Sequence, residues 1–161
     1  MTAVEAFASM AAQFCSWVEA APVSPDDELA VARRLAARLY AGALDLPLEE
    51  SRAEGEVEVE VEGTTIERRA IHARFGVLPI NMYAAVDPLE CPGAEPTVGD
   101  VADDLADTYF DVLRGLRLYR SGLPAAAAWQ WAFSFRAHWG AHVLGALSAL
   151  HASSAKSRVA R

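Results

Sequence analysis

Apolar residues recur every three or four positions through most of the chain, the spacing that gathers them on one face of a helix. Val4, Phe7, Ala11, Phe14 and Val18 make the first stripe, on a helix expected from Thr2 to about Ala20 and opened by a Thr2/Glu5 capping box. Ser24-Pro25-Asp26-Asp27 supplies the next start, with an N-cap, a first-turn proline and acids that complement the helix dipole. This second helix is expected to reach about Gly42. It turns Leu29, Ala32, Leu35, Leu39 and Ala43 inward and Arg33, Arg34 and Arg38 outward, and Pro47 closes the unit.

Residues 49–62 break the pattern. They hold seven glutamates, and Glu56 to Val61 alternate strictly as a strand would. A row of like charges on one face repels itself, so the segment reads as an extended, solvated loop, with a short exposed strand or hairpin as the alternative. Thr64-Thr65-Ile66-Glu67 opens a short helix to about Phe75. Gly76 to Pro96 reads as a long irregular connection, a length that usually marks a functional or packed loop.

Two long helical patterns close the chain. The fourth helix is expected from about Thr97 to Ser121, with Gly122 as its cap. Val98, Val101, Leu105, Tyr109, Val112, Leu116 and Tyr119 face the core, while Asp100, Asp103, Asp104, Asp107 and Asp111 form an arc pointing away from it. The fifth is expected from Pro124 to about His151, with Ala128, Ala132, Phe135, Trp139, Val143, Ala146 and Leu150 inward. Its other positions are small or aromatic rather than charged, so it is expected to be the central helix or one side of a dimer seam. The prediction is an all-α fold: a four- to five-helix bundle with a long C-terminal antiparallel helical hairpin. It forms one domain over residues 1–151, and 152–161 form a disordered basic tail.

Composition narrows the function classes. A net charge of -8 argues against nucleic-acid binding, which needs clustered cations. No apolar run reaches the roughly 18 residues of a membrane span. Cys15 and Cys91 make neither a metal spacing nor a disulfide framework, which suits a cytoplasmic location.

The candidate chemistry lies on the last two helices. His138 and His142, four apart beside Trp131, fall level with Asp107 and Asp103 when the hairpin folds about Gly122. Two histidines at that spacing can share a divalent metal, so His138, His142 and Asp103 are the expected ligands. Asp103, Asp107, Trp131, His138, His142 and Tyr83 are the candidate site residues, with Tyr83 or Asp87 closing the site. The competing reading is a solvated acidic face and half-buried histidines hydrogen-bonded to a backbone carbonyl, one aspartate or Tyr83. Asp103-Asp104-Leu105-Ala106-Asp107 matches the DDxxD string of prenyl-transferring enzymes, but the second acidic motif and large cavity they need are missing. His72 and His151 read as ordinary surface residues.

Ala102 to Asp107 with Tyr109 and Asp111, then Gly115-Leu116 and Leu118-Tyr119, then Trp129, Trp131, Phe135, His138-Trp139-Gly140 and His142, carry a family likeness. With Leu39 to Leu44 and the Tyr83…Asp87-Pro88 pair, they resemble the bacterial family described as domain of unknown function 5063. The resemblance implies a compact helical fold of this size and brings no activity, cofactor or site residue.

The absence of a Gly-rich phosphate loop, a nucleophile with its base or a full ligand set favours a non-enzymatic helical adaptor. Such an adaptor would bind another protein or itself through an apolar patch around Trp129 or Trp131. The alternative is a metal-dependent or acid–base enzyme using the His/Asp cluster. No cofactor is expected beyond that metal, no catalytic residue is assigned, and neither nucleic acid nor membrane is an expected partner.

Overall fold

Capping chemistry sets the first two helices. In a computed structural model describing residues 1–47, 65–90 and 92–159, α1 spans Ala3–Glu19 and α2 spans Pro25–Ala43. The Thr2 hydroxyl accepts from the Glu5 amide at 3.2 Å, and the Glu5 carboxylate accepts from the Thr2 amide at 2.8 Å. Ser24 caps α2 through the Asp27 amide. Both apolar stripes are buried as the spacing predicts: Phe7, Ala11, Phe14 and Val18 pack with Leu29, Ala32, Leu35 and Leu39. The alternating Glu-Val segment lies outside the described residues.

One tie between these helices and α3 (Thr65–Arg74) was not visible in the periodicity. Glu28, in the acidic first turn of α2, is buried against Arg74 at 2.8 Å. The Trp17 indole N–H and the Val23 amide also donate to Glu28, and Arg74 lies over the Trp17 ring.

Three expectations about the rest of the chain are corrected. The connection after residue 76 is not wholly irregular. Met82–Ala85 (β1) pairs antiparallel with Thr97–Asp100 (β2), with Tyr83 opposite Gly99 and Ala84 opposite Val98. The fold is therefore mostly helical with a small two-stranded sheet, rather than strictly all-α. α4 begins at Val101, not Thr97, because the Asp100 carboxylate caps it by accepting from the Ala102 and Asp103 amides. Val98 accordingly sits on the strand pair, 79% exposed, and not in the core.

Second, α4 (Val101–Arg120) is the central helix, with thirteen of its twenty residues buried. It packs against α1, α3, α5 and α6. Phe110, Leu113 and Leu118 bury a side that the aspartates had marked as solvent.

Third, the helix that begins at Pro124 is not uniform. It runs as α5 (Pro124–Ser134), a π-helical turn over Phe135–Trp139, and α6 (Gly140–Val159). The π turn inserts a residue and rotates all that follows. α6 also passes His151, where the basic tail was expected to start, and the Arg33 guanidinium donates to Ser154 on it. Between α4 and α5, Gly122 takes a left-handed φ of 80°, which a side chain would disfavour. Among the described residues, no helix is long and apolar enough to cross a membrane.

Candidate metal centre

Asp104, Asp107 and Asp111 fall on one face of α4 at helical spacing, and this face meets the helix carrying His138 and His142. His142 Nδ1 lies 2.8 Å from Asp104 Oδ1, and His138 Nδ1 lies 2.7 Å from Asp111 Oδ2. Asp107 stands between these pairs, with its Oδ2 at 3.9 Å from His142 Nε2. Its other oxygen faces the Arg68 guanidinium at 3.4 Å. The two imidazoles meet edge-on, with ring centroids 4.7 Å apart.

A buried layer stands behind this row. Asp104 is 7% exposed, and its Oδ2 accepts the Tyr83 hydroxyl at 2.7 Å. The pairing of Tyr83 with Gly99 aims the ring towards α4 and α6, where a Cβ at either Gly99 or Gly145 would collide with it. Those two glycines make the slot that lets Tyr83 reach Asp104. Burial, and then the hydrogen bond to Asp104, push the Tyr83 phenol well above its ordinary range, so it remains a donor. The hydrogen bond to Asp104 raises the His142 pKa; burial opposes it, and the Asp104, Asp107 and Asp103 charges add to it.

Chemically, the arrangement resembles a metal centre with its supporting shell. A carboxylate on Nδ1 fixes an imidazole's orientation and tautomer and leaves Nε2 as the ligating nitrogen. Asp104 does this for His142, and Asp111 does it for His138. One donor atom each from Asp107, His138 and His142 can be chosen so that all three lie within 4.8 Å of one another. Bonds near 2.0–2.1 Å place ligand atoms about 3.3 Å apart around a tetrahedral ion, so the three side chains would draw together to hold one. The outer side is open: the His138 side chain is 50% exposed and that of His142 30%.

The expected site residues are only partly brought together. Asp107, His138 and His142 converge. Asp103, the expected third ligand, is exposed and is not in the converging group, whereas Asp107 is. His142 meets Asp104, one position beyond its level estimate, and His138 meets Asp111, one turn beyond its own. Trp131 is fully buried, with its indole N–H donating to the Val112 carbonyl at 2.9 Å and its ring edge against Phe7. It is a core residue, neither a site residue nor an exposed patch. Tyr83 supports Asp104 from behind instead of closing the site, and Asp87 holds a turn through the Leu89 amide. Sequence reasoning missed the roles of Asp104 and Asp111. Their spacing of seven matched the arc, but only the register of the facing helix shows that they meet histidines.

The family model described as Domain of unknown function (DUF5063) matches residues 2–156, and the chain belongs to that family. Among solved structures, the crystal structure of protein BF1032 from Bacteroides fragilis is similar over 92% of this chain and 90% of that one. Its TM-score is 0.73 at 22% identity, a likeness of fold alone. No curated protein matches.

Proposed function

We propose that this family member holds one divalent transition-metal ion on His138, His142 and Asp107, and uses its open positions for metal-dependent chemistry. The observation that carries the reading is the paired support, in which each ligating imidazole has its own carboxylate on Nδ1. Such carboxylates are what orient the imidazoles of a metal centre and leave Nε2 free to bind. Two nitrogens and one carboxylate suit zinc, manganese or iron(II), and three protein ligands leave room for water or substrate. A metal so held would supply Lewis acidity and would lower the pKa of a bound water, to about 7 if the ion were zinc. The antiparallel hairpin about Gly122 is part of this proposal, since it sets both histidines against α4. A cytoplasmic location belongs to it too, supported by the free, buried Cys15.

The test is metal uptake by tag-free, chelator-stripped protein, read by elemental analysis and calorimetry with zinc, manganese and iron(II). One equivalent is expected, lost in His142→Ala and Asp107→Ala and retained in Asp103→Asn and His72→Ala. Failure of all three metals to bind stoichiometrically overturns the proposal.

A second reading, the adaptor, draws on a different surface. Met82 (57% exposed) and Val98 share the solvent face of the strand pair, and Val86 and Leu89 follow in the adjoining loop. A chain that stays monomeric at all concentrations and captures no partner counts against it.

A further inference from the structure

We propose that a cleft beside His138 binds a small organic anion with a flat, apolar body. Its carboxylate or phosphate sits on Arg114, and its body rests on Phe133 and Trp129. The placement of its far end against an ion rests on the metal reading above; the anion site itself does not.

The cleft, about 250 Å³, lies one turn beyond His138 along both helices, between Asp111 and Arg114 of α4 and the Trp129–Phe133 face of α5. Arg114 is half-buried and makes no ion pair among the described residues. An arginine in that setting has given up part of its hydration without an opposing charge, and its planar donor fork matches a carboxylate or phosphate. The one acid that lines the cleft among the described residues, Asp111, is engaged through its Oδ2 with His138 Nδ1 at 2.7 Å.

The opposite wall selects for shape. Phe133 is 53% exposed and lies parallel to Trp129, with ring centroids 5.0 Å apart and planes within 8°. A flat body can lie against that shelf, and Gln130 lines the cleft beside it. The volume is below the roughly 300–1,000 Å³ of drug-sized pockets, which limits the ligand to a single ring or a short unsaturated chain.

The experiment titrates benzoate, phenyl phosphate and neutral benzamide into metal-free protein, read by amide and indole chemical shifts. At least one anion is expected to bind tenfold or more tightly than benzamide and to move the Trp129 indole signal. Arg114→Gln should erase that preference, Arg114→Lys should keep part of it, and Phe133→Ala should weaken both aromatic anions and benzamide alike. Benzamide binding as well as both anions, or no binding by either anion, overturns the proposal without requiring a folded variant. In manganese-loaded protein the bound probe's ring protons should relax faster. Arg114-dependent binding with no manganese effect upholds the anion site and overturns the placement of its far end against the ion, while the metal reading stands or falls on the uptake measurement above.

Discussion

His142 is held by Asp104, Nδ1 to Oδ1 at 2.8 Å, and that carboxylate is itself held by Tyr83 from behind. Asp104 is therefore too deep and too occupied to be a ligand, and acts by orienting one. Asp104→Asn should lower zinc or manganese affinity about 10- to 100-fold, the usual effect of losing an orienting partner. Competition against a chromogenic chelator measures it. An unchanged affinity would mean that the Asp104–His142 contact serves packing alone.

Tyr83 and Gly145 should be energetically coupled. Tyr83→Phe leaves a buried Asp104 oxygen without its donor, a loss of about 1–3 kcal/mol. Gly145→Ala gains about 0.8–1 kcal/mol of helix propensity. It also puts a methyl where the Tyr83 hydroxyl lies, an overpacking cost of about 1–3 kcal/mol. The collision is with the hydroxyl, so Gly145→Ala should cost less in the Tyr83→Phe background. Urea unfolding of the four proteins in this cycle reads the coupling; strictly additive effects would contradict the slot.

What the sequence could disclose follows the same logic. The stripes of α1 and α2 and their caps were legible because spacing and capping are local properties. Thr2, Ser24 and the buried Phe7, Phe14 and Leu35 need no knowledge of the rest of the chain. The strand pair was not legible, since four-residue strands carry little alternation and Tyr83 meets Gly99 only across a loop. The site was half legible. The spacing of His138 and His142 and the aspartate ladder of α4 were readable, but the π turn and the aspartate that each histidine meets depend on how the two helices pack, which spacing does not record.

The Glu28–Arg74 pair should set the acid limit of stability. Burial pushes the Glu28 carboxyl up, but the hydrogen bonds from Val23, Arg74 and Trp17 and the Arg74 charge outweigh it and leave the pKa below its ordinary value. A lowered folded-state pKa gives stability that is fully present above the unfolded value, near 4.5, and lost as pH falls through the folded one. Urea midpoints should therefore drop below about pH 4.5. Glu28→Gln should flatten that drop and cost about 3–5 kcal/mol at neutral pH, because Arg74 is left buried without its partner. A pH profile identical to the parent's would assign the acid transition to other groups.

Core and site are separable by opposite substitutions. Trp131 fills the centre of the bundle between Phe7 and α4, and its indole N–H donates to the Val112 carbonyl of that helix. Trp131→Phe should leave a cavity and remove that hydrogen bond, a loss of about 1–3 kcal/mol, with metal stoichiometry intact. His142→Ala should do the reverse, abolishing uptake while thermal stability in the metal-free state shifts less. Thermal melts with and without added zinc, run on both variants, read the two effects together. In Trp131→Phe the zinc-induced rise in melting temperature should match the parent's, because binding adds stability in proportion to affinity wherever the protein starts. In His142→Ala the rise should vanish. A rise lost in Trp131→Phe would instead place the indole in the metal centre's support.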